Sequence, residues 1–109
     1  MTDKERQDRY RRSPKGVANR AKMSRERNAE WRRRIDAIKL AAGCADCGFN
    51  EAAVALDFDH VRGVKEFQIG TARLAWPRVM AEIAKCEVRC ANCHRIRTFE
   101  LEAVDDVSR

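Results

Sequence analysis

The sequence predicts a small α+β domain stapled by cysteines and preceded by a basic helical arm. Three observations predict it. Two C-x-x-C pairs, Cys44-x-x-Cys47 and Cys90-x-x-Cys93, stand 42 residues apart. Two short strand signals, each next to one of those pairs, alternate with helical stretches. The N-terminal third is rich in Arg and Lys. With 109 residues, 37% of them charged and 6% aromatic, the chain has little material for an apolar core. A core that small needs a metal, a disulfide or a partner to hold it.

Residues 1–23 read as a polar, Arg-rich arm. Ser13-Pro14 and Gly16 interrupt any continuous helix and no apolar stripe is present, so the arm is expected to be disordered, or ordered only on nucleic acid. Residues 24–42 read as an amphipathic basic helix. Ser24 is its expected N-cap, Gly43 its stop, and Trp31, Ile35, Ile38 and Ala42 form its apolar stripe. Arg32, Arg33 and Arg34 lie mostly off that stripe.

Residues 43–102 are expected to form the stapled domain. Cys44 to Gly48 is a tight knuckle, and Val54 to Phe58 a short strand with Leu56 and Phe58 facing one way and Asp57 the other. Residues 59–75 read as a loop with Gly63 and Gly70 as turn signals. Pro77 opens a short helix to about Lys85, whose apolar side is Val79, Met80, Ile83 and Ala84. Glu87 to Arg89 is a second strand. A final helix from about Ala91 carries Cys93, His94 and Arg97, and residues 103–109 read as a frayed tail.

The formal charge of +6 is uneven: residues 1–42 carry 14 Lys and Arg against 6 Asp and Glu, and residues 43–109 carry 9 against 11. Clustered cations gain affinity by displacing counterions from phosphates, which points to an anionic polymer as partner, although a charge run alone is as often a solvated helix face. The N-terminus is charged throughout, with no secretory leader, and no apolar run approaches 20 residues. We therefore expect a cytoplasmic protein without a membrane span. In a reduced compartment, two C-x-x-C pairs point to metal rather than disulfide, with disulfides and inert buried thiols as the alternatives. Four thiolates from two knuckles suit tetrahedral Zn²⁺, and such a closed site is structural rather than catalytic. Cys86 is left over and reads as a small buried apolar residue.

The chain has 2 histidines. His60 directly follows Asp59, and His94 directly follows Cys93. A metal joining the two cysteine pairs also brings His94 toward Asp59 and His60. Taken singly, an Asp-His pair after a strand is commonly a surface turn, and a histidine after C-x-x-C is commonly a capping or contact residue.

Cys44-x-x-Cys47-Gly48, Asp57-Phe58-Asp59-His60-Val61-x-Gly63 and Cys90-Ala91-Asn92-Cys93-His94-Arg95 together resemble the zinc-containing HNH endonucleases of phages and bacteria. The resemblance covers residues 43–99 and implies a ββα-metal (HNH) core with a four-cysteine structural zinc site. It implies that Asp59 and His94 hold a single catalytic divalent ion (Mg²⁺, Mn²⁺ or Ni²⁺) and that His60 is the general base that activates water. The side-chain types suit those roles: an oxygen and an imidazole ligand fit such ions, and a neutral imidazole accepts a proton near neutral pH. The implied activity is hydrolysis of DNA phosphodiester bonds, by nicking or double-strand cutting, leaving 5′-phosphate and 3′-hydroxyl ends. Family analogy adds a phage terminase or packaging protein as a partner. One position departs from the pattern. The middle Asn of the family, about five residues before the second cysteine pair, is Lys85 or a neighbour here.

Arg95 and Arg97 on the final helix, Arg62 and Lys65 in the loop, and Arg32, Arg33 and Arg34 are candidate DNA contacts, with plain surface charge as the alternative for each. Two other functions compete: a non-catalytic zinc-stabilised DNA-binding module, and an adaptor whose Trp31 helix docks on a protein. Sequence preference and oligomeric state are open.

Overall fold

In a computed structural model, residues 1–71 and 74–108 are described. The chain forms two units, Met1–Ile35 and Asp36–Arg109. Among the described residues no helix is long and apolar enough to cross a membrane.

The first unit is helical where the sequence suggests disorder. Helix α1 spans Asp3–Arg12 and helix α2 spans Pro14–Ala42. Thr2 and Glu5 build a capping box at the start of α1: the Thr2 hydroxyl accepts from the Glu5 amide at 3.2 Å, and the Glu5 carboxylate accepts from the Thr2 amide at 3.3 Å. Ser13 ends one helix and starts the next. Its hydroxyl donates to the Tyr10 carbonyl and accepts from the Gly16 amide. Pro14 then occupies the first helical position, where its missing N–H is not needed. The Ser-Pro pair does break the helix, as expected, but both sides of the break are helical. Ser24, the expected N-cap, lies inside α2 instead. Gly16 is buried, and a Cβ there would lie 2.0 Å from the Tyr10 carbonyl oxygen, so the turn admits only glycine.

In the second unit Gly43 ends α2 with φ of 68°, its amide bonded to the Lys39 carbonyl at 2.9 Å. The knuckle follows, with Gly48 at φ 79° closing its turn onto the Cys44 carbonyl. A single 3-10 turn at Ala53–Ala55 leads into strand β1, Leu56–His60. The strand thus starts later than Val54, which is almost fully exposed in the turn, and runs on through Asp59 and His60. A second 3-10 turn, Ile69–Thr71, precedes helix α3, Trp76–Ile83. Strand β2, Cys86–Cys90, and helix α4, Ala91–Ser108, complete the unit. The helix therefore continues through most of the expected tail; Arg109 lies outside the described residues.

The two strands pair antiparallel, with Leu56 opposite Cys90, Phe58 opposite Val88 and His60 opposite Cys86. Leu56, Val88, Cys44 and Cys90 form the core, with Phe49, Phe58 and Cys93 packed against it. A period of two places Asp57, Asp59, Glu87 and Arg89 on the opposite face. Helix α4 contacts both strands, and its His94 and Arg97 bond to Asp57 and Asp59 on that charged face. In chain order the unit runs β1, α3, β2, α4, and α3 also touches β2.

Candidate metal centre and histidine cleft

The four cysteines of the two pairs converge. Their Sγ atoms all lie within 4.8 Å of one another, and Cys47 Sγ is 3.8 Å from Cys90 Sγ. Four sulfurs about 2.3 Å from one tetrahedral ion would be about 3.8 Å apart, so the spacing fits a metal such as zinc. Each knuckle also turns an amide onto its first sulfur, Cys47 N to Cys44 Sγ at 3.5 Å and Cys93 N to Cys90 Sγ at 3.4 Å. Burial pushes the Cys44 thiol up, but amides of Cys90, Cys47 and Asp46 together outweigh it and bring it down to about 6. The Cys93 thiol is pushed strongly up, chiefly by its bond to Cys90 and then by burial. Cys86 stands outside the cluster: its Sγ donates to the Glu82 carbonyl at 3.5 Å, and burial pushes its thiol up to about 11.

Asp59 and His94 meet on the charged face of the sheet. Asp59 Oδ1 lies 3.5 Å from His94 Nε2. Two ligand atoms each about 2.1 Å from one ion, at about 90–110°, stand about 3.0–3.4 Å apart, so the pair fits a shared divalent ion with a small adjustment. His94 Nδ1 lies 3.1 Å from Asp57 Oδ2. A carboxylate there accepts a hydrogen bond from Nδ1–H and leaves Nε2 as the ligand atom. The other oxygen of Asp59 is occupied, accepting from Arg89 at 2.8 Å and Arg97 at 2.9 Å.

His60 stands at the end of β1, its Nε2 2.8 Å from Glu82 Oε2 of α3. His60 and His94 line one cleft of about 340 Å³, together with Lys39, Lys65, Asp57 and Gln68. The cleft thus holds two imidazoles and two ammonium groups.

The candidate DNA contacts fall in different settings. Lys65 lines the cleft, and Arg95 lines a neighbouring hollow with Asp57, His94 and Phe99. Arg97 is turned onto Asp59. Arg62 donates to the carbonyls of Ala84 at 2.9 Å and Cys86 at 3.4 Å, latching the loop to the start of β2. Arg32 and Arg33 are exposed on α2, and Arg34 reaches Glu30 at 3.6 Å.

Sequence reasoning missed Lys39, Asp57, Glu82 and Arg89. Of these, Glu82 left a signal. It lies three residues after Val79 on α3, inside what must then be the buried stripe, and both side chains are buried while Met80, expected on that stripe, is exposed. A charge at an apolar helical position marks a paired group. No family model, curated protein or solved structure matches the chain.

Proposed function

We propose that the chain is a metal-dependent DNA endonuclease of the HNH type, with a ββα-metal core and a structural zinc on Cys44, Cys47, Cys90 and Cys93. The observation that carries this reading is the approach of Asp59 Oδ1 to His94 Nε2, 3.5 Å, where His94 and His60 line one cleft. Asp59 and His94 hold the catalytic ion. A divalent ion there supplies Lewis acidity to the scissile phosphate and stabilises charge on the departing 3′ oxygen. His60 takes the proton from the attacking water. Lys39 and Lys65, on the rim of the same cleft, hold the phosphate backbone. The cations of residues 1–35, 13 Lys and Arg against 5 Asp and Glu, supply further attachment that is blind to base sequence.

Plasmid nicking with Mg²⁺, Mn²⁺ or Ni²⁺, comparing wild type with His60→Ala, tests the proposal. Loss of a general base lowers the rate about 10²–10⁴-fold. Absence of cleavage with every ion, or full cleavage by His60→Ala, defeats it.

A zinc-stabilised DNA-binding module without catalysis is the second reading. Its support is that Arg89 and Arg97 both already bond to Asp59, so the carboxylate needs no ion to be neutralised. Salt-sensitive binding of plasmid without cleavage under any of the three ions decides for it.

A further inference from the structure

Glu82 is a charged residue on the buried face of α3, its side chain 2% exposed. Its oxygens are fully engaged. Oε1 accepts from Lys85 Nζ at 2.9 Å, and Oε2 accepts from the Glu66 amide at 3.2 Å and meets His60 Nε2 at 2.8 Å. A buried carboxylate persists as an ion only with such partners. The Lys85 ammonium is the largest influence on it and, against the opposing effect of burial, holds the carboxyl below the usual glutamate range. Lys85 in turn donates to the Val64 carbonyl at 2.8 Å. Lys85 and Glu82 therefore clamp the loop after β1 to the end of α3.

The bond to Glu82 has a consequence for the ring. An ionised carboxylate only accepts, so Nε2 of His60 carries the proton, and in the neutral ring the lone pair sits on Nδ1. A clamp on the loop alone needs only Lys85, Val64 and Glu66. The short approach to His60 is additional.

We propose that Glu82 is a positioning residue that fixes His60 in the Nε2–H form and presents Nδ1 to the cleft as the atom that takes the proton from water. The catalytic half of this statement rests on the nuclease reading; the tautomer does not. Glu82→Gln is nearly isosteric. The charged Lys85 ammonium outcompetes the neutral Glu66 amide for the amide oxygen, which turns the NH₂ toward His60 Nε2 and favours the opposite tautomer.

Long-range ¹H–¹⁵N NMR of the ¹⁵N-labelled, zinc-loaded protein, recorded with the rings neutral, reads the tautomer directly. We expect Nε2–H for His60 in wild type and a shift toward Nδ1–H in Glu82→Gln. Wild-type His60 found as Nδ1–H overturns the proposal whether or not the protein cuts DNA. The catalytic half is read by a double-mutant cycle in plasmid nicking. Glu82→Gln is expected to slow wild type about 10–100-fold and to leave the residual rate of His60→Ala unchanged. Cleavage by Glu82→Gln at the wild-type rate overturns the proposal. An equal loss in both backgrounds also overturns it, because a merely structural role slows both. Failure of every ion to support cleavage removes the nuclease reading, and the Nε2–H assignment is then decided by the spectrum alone.

Discussion

The guanidinium of Arg89 donates at 2.8 Å to Asp59 Oδ2. The same group reaches Asp46 at 3.0 Å, between the cysteines of the first knuckle, and Glu87 at 2.6 Å. One fork thus joins the cysteine cluster to the carboxylate that faces His94. Lysine cannot span three carboxylates from one point charge. We expect Arg89→Lys and Arg89→Met both to destabilise the protein by about 2–3 kcal/mol, below the ~3–5 kcal/mol of a fully buried broken pair because Asp46 and Glu87 are partly solvated. Asp46→Ala should cost about 1 kcal/mol or less, as a half-exposed partner. Chemical denaturation at fixed zinc reads all three. Equal midpoints for Arg89→Met and wild type would show that the fork contributes nothing.

Removing the ion should remove the second unit's fold. The apolar cluster beneath the sheet includes two cysteines of the site, Cys44 and Cys90, beside Leu56 and Val88, and structural zinc sites contribute about 10–16 kcal/mol. We expect one zinc per chain, thiolate-to-metal charge-transfer bands on Co²⁺ substitution, and loss of tertiary structure with excess chelator or in Cys44→Ser. A Cys44→Ser protein that stays folded and binds a full equivalent of metal contradicts the four-sulfur site.

The fifth cysteine should behave differently. Cys86 is buried, bonds to the Glu82 carbonyl and holds its proton to about 11. Cys86→Ala should retain one metal per chain, with a stability change of about 1 kcal/mol or less. In the folded wild type, Cys86 should resist alkylation at neutral pH, since the thiolate is the reacting species. Loss of metal from Cys86→Ala would make it a ligand.

What the sequence makes legible is local. The C-x-x-C spacing marks two knuckles wherever it occurs, and Gly43 and Pro77 punctuate helices through backbone rules that no tertiary contact changes. The 3.5 Å approach of Asp59 to His94 is legible in part: His94 adjoins Cys93, but Asp59 is brought to it by the pairing of β1 with β2. The partners Glu82, Arg89 and Asp57 are not legible, since each is defined by what lies across the sheet or on another helix. Arg97 shows the limit well: on a helix wheel it is surface charge, and only the packing of α4 turns it onto Asp59. The helical arm escapes for another reason. Ser13-Pro14 reads as an end, but Ser at N-cap with Pro at the first helical position is equally a beginning.

Glu82 and Lys85 should shape the pH dependence of stability. The Glu82 carboxyl lies below the usual 4.5 in the folded protein, first because of its bond to Lys85. Its contribution is therefore complete above about pH 4.5 and is lost as pH falls through the folded value beneath that. Lys85 is raised above 10.5, first by its bond to Glu82, so its contribution is complete below that pH and is lost as pH rises through its folded value. The stability gap between wild type and Glu82→Gln should be flat from about pH 5 to 10 and should narrow below 4.5. Comparing the two at each pH cancels the shared loss of zinc in acid. A gap as large at pH 3 as at pH 6 would mean that Glu82 is not ionised in the fold.

Deleting residues 1–23 tests what the basic helices do. That stretch carries 8 Lys and Arg against 3 Asp and Glu. The cut leaves Ser24 as the first native residue, free to serve as the N-cap of the shortened α2, and the cysteine cluster is untouched. Every phosphate that no longer meets a cation should reduce the salt slope of log K by about 0.9. If half of the cations touch phosphate, the slope falls by about 3–4, with weaker binding at every salt concentration. Metal content and the effect of His60→Ala on cleavage at saturating protein should not change, because none of the cleft-lining residues is removed. An unchanged slope would assign the cations of residues 1–23 to solvent and leave Arg32, Arg33, Arg34, Lys39 and Lys65 as the phosphate-binding groups to test next.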